Sequence, residues 1–225
     1  MLRRDLGPAG DVAWTLNDMA NLLVERGELR KAMACHKEAL ELRKALSKPQ
    51  LIIQSMSNMS ALHMMLGEDD AALADLLVSS NLAQKLGDKL SIAVVTVNIG
   101  ELYLLRGETT QAERYLRQAT AIAEKLDDKL IIAECYRLMG ELSLETGEAD
   151  DALEYSHRSF ALVKDFDIGS ALAGTYRLMG EVYAVVPQEA LQKFRSRQQL
   201  HPELPTYLYG DALACREESI TVARQ

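Results

Sequence analysis

Apolar residues recur at steps of three or four along most of this chain, which is the periodicity of amphipathic helices. One stripe runs from Ile92 to Leu105, and a second runs from Ala112 to Ile122. Gly107 separates them, where a helix end favours a residue that tolerates the left-handed conformation. Glu108 follows, and its carboxylate is stabilised by the free N–H groups of the next helix. The pattern predicts two antiparallel helices that pack face to face.

The same turn recurs every forty residues, at Gly27-Glu28, Gly67-Glu68, Gly107-Glu108 and Gly147-Glu148. Small residues keep their offsets from each turn. The third copy reads Thr96-x2-Ile99-Gly100-x2-Tyr103 and then Ala112-x3-Leu116, and the fourth reads Tyr136-x2-Met139-Gly140-x2-Ser143 and then Ala152-x3-Ser156. One helix pair has therefore been copied along the chain.

This arrangement resembles the tetratricopeptide repeat (TPR) family, whose signature is W-x2-L-G-x2-Y followed by A-x3-F, in a longer variant of about forty residues. The resemblance covers most of residues 11–186 and resumes near 211. His36 and Ser156 stand where the signature has an aromatic residue. The resemblance implies an all-α fold, a right-handed α-solenoid of about five antiparallel helix pairs in a TPR-like superhelix.

The repeats are predicted to form a single domain over residues 1–225, because each repeat contacts its neighbours. Their predicted spans are about 11–48, 49–88, 89–128, 129–167 and 168–225.

The repeat register breaks at Pro187, where the next glycine turn is due. The stretch that begins at Asp211 echoes the one at Asp151 after sixty residues instead of forty, which favours an insertion near 187–206. In the alternative, residues 188–200 form a truncated partner helix and residues 206–224 an additional terminal helix.

Helix ends carry recognisable capping residues. Asp11 is predicted to cap a first helix that begins near residue 12. Gly87-Asp88 and Asp127-Asp128 are each predicted to end one helix and cap the next.

Composition narrows the classes of partner. The 225 residues are 48% hydrophobic and 26% charged, with a formal net charge of -8. Because nucleic-acid binding needs a basic stripe, a direct nucleic-acid partner is not expected.

No apolar run reaches the length of a membrane span, and the first residues lack the apolar core of a secretory signal. Cys35, Cys135 and Cys215 lie on different predicted helices and are predicted to be free buried thiols. The sequence therefore predicts a cytoplasmic protein without a membrane partner.

Motifs of catalysis are absent from the sequence. The four histidines show no HExxH pattern, and no phosphate-binding glycine loop or nucleophile elbow is present. We therefore predict no enzymatic activity, no metal and no cofactor.

The TPR resemblance implies that the first helix of each pair lines a concave groove that binds a protein or a peptide. Asparagine offers both a donor and an acceptor to a peptide backbone, and arginine binds carboxylates with two hydrogen bonds. The groove residues implied in this way are Asn17, Asn21, Ser57, Met64, Asn98, Glu101, Arg137, Glu141, Arg177 and Glu181.

The groove residues also have a structural interpretation. The sequence Tyr-Arg-Leu-Met-Gly-Glu occurs twice, at 136–141 and 176–181. In this interpretation Arg137 pairs with Glu141 or Glu101, and Arg177 with Glu181 or Glu141, as support within and between repeats. Met56 and Met59 fall on core positions, whereas Met64 and Met65 are groove candidates.

Three functions agree with these features. The leading hypothesis is a non-catalytic protein-interaction module that binds a peptide or a partner helix in the concave groove. The second is a ligand-sensing or peptide-sensing regulatory segment of a larger signalling or transcription regulator, because the helical pattern runs to the last residue. The third is a self-assembling scaffold, a homo-oligomer that stacks through its terminal repeat.

Overall fold

Helices make up all the regular structure in the described part of this computed structural model, which covers residues 7–164, 169–187, 189, 191 and 212–223. The predicted all-α class is confirmed. The helices are α1 Gly7–Glu25, α2 Leu29–Ala45, α3 Pro49–Met65, α4 Asp69–Leu86, α5 Lys89–Leu105, α6 Thr109–Leu126, α7 Lys129–Glu145, α8 Ala149–Val163, α9 Gly169–Val185 and α10 Ala212–Ala223.

The recurring glycines adopt the left-handed backbone conformation for which the sequence selects them. Gly27 has a φ of 73° and Gly147 a φ of 80°, and a side chain at such an angle is strained. The glutamates that follow occupy the N-cap position, but none of their side chains makes a capping hydrogen bond. Their contribution to the next helix is therefore limited to the helix dipole.

Two aspartates cap helices that open new repeats, α5 and α7, as predicted. Asp88 accepts hydrogen bonds from the backbone N–H and the hydroxyl of Ser91 at 3.1 and 2.8 Å. Asp128 accepts from the N–H of Ile131 at 3.0 Å. Asp127, which replaces the glycine of the preceding copy, takes the left-handed conformation itself with a φ of 53°.

The predicted cap at Asp11 is wrong. Helix α1 begins at Gly7, so Asp11 lies inside it, and its carbonyl accepts a hydrogen bond from the Thr15 hydroxyl at 2.9 Å. Pro8 explains the earlier start, because proline lacks the N–H that the first turn of a helix leaves unpaired and its φ already suits a helix.

The chain divides into two compact units, Met1–Gly107 and Glu108–Gln225. In unit 1, α1 packs on α2 and α3 on α4, and α3 also contacts α5. Met56 and Met59 lie in the core of this unit, as predicted, together with Ala20, Ala32, Met33, Cys35, Leu40 and Leu62.

In unit 2, α7 packs on α8 and α9 on α10, and α7 also contacts α9. Tyr176, Met179 and Tyr183 of α9 join one core cluster with Phe160 of α8 and Cys215 of α10. The Ser219 hydroxyl ties α10 to α9 through a hydrogen bond to the Ala173 carbonyl at 2.8 Å. Most of the proposed insertion, residues 192–206, lies outside the described residues, as does Asp211.

Small residues lie where the repeat pattern places them. Ala32, Ala72, Ala112 and Ala152 all have no exposed surface. Gly140 lies against Leu178 of α9, and a Cβ at Gly140 would stand 2.7 Å from Leu178 Cδ2. Helices α7 and α9 therefore approach each other too closely for a larger side chain at this point. Ser156, which departs from the signature, is fully buried and donates to the Leu153 carbonyl at 2.9 Å.

Candidate functional site

Five charged side chains on α7 and α9 form a continuous series of ion pairs, which we call the charge ladder: Glu134, Arg137, Glu141, Arg177 and Glu181. Glu141 Oε1 is shared, accepting from Arg137 Nη1 at 2.6 Å and from Arg177 Nη2 at 2.5 Å. Arg177 Nη1 also donates to Glu181 Oε1 at 3.1 Å. The structure therefore contains two of the predicted pairs within a helix, Arg137–Glu141 and Arg177–Glu181, and one between repeats, Arg177–Glu141.

Burial differs along the charge ladder. Arg137 is only 8% exposed, and it donates from Nε and Nη2 to the two carboxylate oxygens of Glu134 at 2.9 and 2.5 Å. This bidentate geometry fixes the guanidinium plane. The Arg177 side chain is 50% exposed, so a molecule at this surface would meet Arg177 rather than Arg137.

Glu134 is not among the site residues predicted from the sequence. It lies three residues before Arg137 on the same helix, a spacing that brings two side chains together on a helix surface. That spacing was the available signal. The repeat pattern gave no reason to select it, because the copy in α9 has Gly174 at this position.

The groove residues predicted in unit 1 differ in burial. Asn17 is buried, and its side-chain oxygen accepts a hydrogen bond from Asn58 Nδ2 at 3.0 Å. Asn21 is exposed. The half-buried members of the set are Ser57, Met64, Asn98 and Glu101. Asn58 was also missed, although it holds in its copy the place that Asn98 holds in the next.

An open cavity of about 470 Å³ lies beside the last member of the charge ladder. We call it the notch, and it is formed by the turn between α7 and α8 and the end of α9. Its described lining is mostly apolar and consists of Glu181, which is charged, and of Leu144, Gly147, Ala149, Ala184 and Val185.

A second groove in unit 2 runs between α6 and α8. It consists of two adjoining cavities of about 150 and 220 Å³, which share Arg117, Met139 and Tyr155. Tyr155 stacks on Tyr136 with 6.0 Å between ring centroids. Arg117 and Glu113, both on α6, form an exposed ion pair at 2.7 Å.

Unit 1 contains a buried arginine whose Nη1 makes structural hydrogen bonds. Arg43 of α2 is fully buried and donates to Ser55 Oγ at 2.7 Å and to the Leu51 carbonyl at 3.2 Å. Its guanidinium carbon lies 5.5 Å from the centre of the Trp14 ring, within the range of a cation–π contact. Arg43 thus connects α1, α2 and α3.

The three cysteines are free and buried, as predicted. Burial raises the pKa of the Cys135 thiol to about 11, so this side chain is a poor nucleophile at neutral pH. Among the described residues, no group of three or more His, Cys, Asp or Glu side chains has the arrangement of a metal site. No helix in the described part of the chain has the length and apolar character needed to cross a bilayer.

Family models described as tetratricopeptide repeat match residues 12–50, 51–125 and 92–165 of this chain. The matches to one of these models, over 51–125 and 92–165, together cover more than half of the 225 residues. The chain therefore belongs to the tetratricopeptide repeat family, as its glycine turns and buried alanines indicated. Among curated proteins, no significant match was found.

Solved structures share the fold at low sequence identity. BtubC (BKLC) from P. vanneervenii aligns with a TM-score of 0.64 and 20% identity over 96% of this chain and 81% of its own. The apo form of RapI aligns with a TM-score of 0.64 and 16% identity over 99% of this chain and 85% of its own. A Podosopora anserina protein with nearly identical TPR-like repeats aligns with a TM-score of 0.56 and 13% identity over 93% of each chain. These likenesses establish the fold alone.

Repeats of this family commonly act as protein-interaction modules and are generally non-catalytic. They typically bind proteins or peptides.

Proposed function

We propose that this chain is a non-catalytic interaction module that binds a peptide or a partner helix along the first helices of its repeats. The observation that carries the proposal is the charge ladder on α7 and α9. Its side chains are fixed by ion pairs before any partner arrives, and fixed groups lose little conformational entropy on binding. The other predicted groove residues, from Asn17 to Glu101, belong to the proposed binding surface of unit 1.

The charge ladder favours one kind of partner. It holds three carboxylates, on Glu134, Glu141 and Glu181, against the two guanidinium groups of Arg137 and Arg177. Both of its ends are therefore acidic. A peptide with basic side chains near the ends of the ladder and a carboxylate opposite Arg177 would complement these charges.

A displayed library of random peptides tests the proposal directly. Peptides selected on the purified protein are synthesised, and their affinities are measured by isothermal titration calorimetry. Arg177→Ala and Glu181→Ala should each weaken binding by about tenfold, which corresponds to 1.4 kcal/mol. Arg117→Ala is the matched control, because Arg117 is also exposed and ion-paired but lies on α6.

Two results would contradict the proposal. In one, the selection returns no peptide that binds with measurable affinity. In the other, peptides bind the ladder variants and the wild type equally well. Binding that depends on Arg117 instead would move the partner site to the groove between α6 and α8.

Self-assembly is a second candidate, because α1 leaves apolar side chains uncovered. Val12, Met19 and Leu22 are 48%, 44% and 60% exposed and follow one side of the helix. Uncovered apolar surface of this kind often marks an interaction site. A monomeric mass in sedimentation equilibrium at high protein concentration would exclude self-assembly, and a defined oligomer that Met19→Lys dissociates would support it. A regulatory segment of a larger signalling protein stays a further alternative, and in that case a selected peptide would change the behaviour of the attached domains.

A further inference from the structure

We infer that the notch receives an apolar side chain of the bound peptide, with a neighbouring basic residue of that peptide paired to Glu181. The inference rests on the proposed function, because it assigns part of the same peptide site. It adds the chemistry of the residues that the peptide must carry at one end of the charge ladder.

Comparison of equivalent repeat positions explains why the notch is open. Eighty residues before Ala184, unit 1 has Leu104, which is buried. The places of Ala149 and Val186 are held in unit 1 by Asp69 and Arg106. Arg106 Nε lies 3.8 Å from Asp69 Oδ2, and Arg106 Nη2 donates to Asp70 Oδ1 at 2.8 Å. A leucine and an ion pair thus occupy the junction in unit 1.

Unit 2 has smaller or uncharged residues at all three places. Ala184 has three carbon atoms fewer than leucine, Ala149 lacks the carboxylate, and Val186 turns into the core, where it is 5% exposed. The side chains that fill the junction in unit 1 are therefore absent from the junction in unit 2, and the space of about 470 Å³ follows.

The lining of the notch determines its occupant. Leu144, Ala149, Ala184 and Val185 present hydrocarbon, and burying a Leu-sized or Met-sized side chain against such a surface is favourable. Val185 is 60% exposed, so this surface is in contact with solvent and gains from being covered. Among the described residues of the lining, Glu181 is the only charged one, and it is also one of the two acidic ends of the charge ladder. A side chain that enters here therefore continues a peptide already aligned on Arg177, and its neighbour meets a carboxylate.

Disulfide exchange measures the apolar preference of the notch without any peptide. Val185→Cys places a thiol on its rim, and Leu105→Cys is the matched control, since Leu105 holds the equivalent repeat position and is 62% exposed. The three native cysteines are buried. Each variant is equilibrated with 2-methylpropane-1-thiol, 2-mercaptoethanol and the symmetrical disulfides of both, so that each mixed disulfide forms by exchange and releases a small thiol. Intact-mass spectrometry gives the ratio of the two mixed disulfides.

The notch should favour the branched alkyl thiol about tenfold more than the control position does, because about two additional methylene groups leave water. Adding Ala184→Leu, the residue found in unit 1, should reduce that preference at least threefold. Equal ratios at the two positions, or a preference that Ala184→Leu leaves unchanged, would overturn the inference.

The peptide selection separates this inference from the proposed function. Peptides selected on the wild type should carry an apolar residue next to Lys or Arg, and selection on Ala184→Leu should lose the apolar requirement. Glu181→Gln should lose only the basic requirement. If selected peptides depend on Arg177 but show neither requirement, the notch assignment fails and the proposed function stands. If no peptide depends on the ladder, the proposed function fails and the assignment of a peptide to the notch fails with it, whatever the thiol preference.

Discussion

Glu141 and Arg177 lie thirty-six residues apart in sequence, and Arg177 Nη2 donates to Glu141 Oε1 at 2.5 Å. The same oxygen accepts from Arg137. One carboxylate thereby joins the first helices of two successive repeats and balances a guanidinium that is almost wholly buried. Glu141 consequently has a larger role in stability than an ordinary surface glutamate, whatever partner the ladder binds.

Glu141→Gln should lower the free energy of unfolding by about 1–3 kcal/mol, because it removes the negative charge that the buried Arg137 shares with Arg177. Urea denaturation followed by circular dichroism measures the loss. Glu181→Gln is the control, since Glu181 pairs with the half-exposed Arg177 at 3.1 Å, and such pairs contribute about 0–1 kcal/mol. Equal losses in the two variants would show that Glu141 contributes no more to the stability of the protein than Glu181 does.

Gly140→Ala should destabilise the protein by about 1–3 kcal/mol, the usual cost of overpacking a core. The new Cβ would stand 2.7 Å from Cδ2 of Leu178, a residue with no exposed surface to move into. Thermal or urea denaturation measures the change. Combining Gly140→Ala with Leu178→Val shortens the opposing side chain, so the double variant should lose less than the sum of the two single variants. Strict additivity would mean that the two residues do not clash.

Ser47→Gly should raise the free energy of unfolding by about 0.5–1 kcal/mol. Ser47 has a φ of 51° between α2 and α3, the left-handed region, which costs a residue with a Cβ about 1–2 kcal/mol. Glycine removes that strain at an entropic cost of about 0.5–1 kcal/mol. Ser47→Ala retains the Cβ and should give no gain. A stabilisation of the same size in Ser47→Ala would attribute the effect to loss of the hydroxyl instead.

Stability should fall as the pH drops below about 6.5, in part because of His36. Burial, and to a smaller extent the nearby Arg43 charge, lowers the pKa of His36 in the folded protein. The unfolded chain then takes up a proton near the ordinary histidine pKa while the folded chain does not, so unfolding is favoured by acid. This contribution cannot exceed about 1.4 kcal/mol per pH unit. Above the pKa that His36 has in the unfolded chain, this side chain is neutral in both states, and the destabilisation is absent.

The pH effect is measured by urea denaturation at pH 8.0 and 5.5 on the wild type and on His36→Gln. The variant should lose less stability between the two pH values. His63→Gln is the control, since His63 lies against the carboxylate of Glu68 at 2.6 Å rather than beside a buried guanidinium. A His36→Gln variant as sensitive to acid as the wild type would assign the effect to other groups.

The sequence by itself determined the features that depend on local conformation. Gly27 and Gly147 are required by their positive φ angles, and Asp88 and Asp128 cap helices through hydrogen bonds that span three residues. Such requirements recur with each copy of the repeat, so the forty-residue interval made the helices and the family recognisable. The same locality explains the error at Asp11, because a proline in the first turn permitted an earlier helix start than the polar cap suggested.

Only the tertiary structure decided which side chains meet across repeats. The sharing of Glu141 by two arginines, the contact of Asn58 with Asn17, and the notch all depend on pairs of helices whose residues are distant in sequence. The notch in particular arises because alanine and valine replace the leucine and arginine of an earlier copy. Periodicity predicts which side of its own helix a residue occupies. The space between two helices, in contrast, is set by the packing of every side chain that separates them.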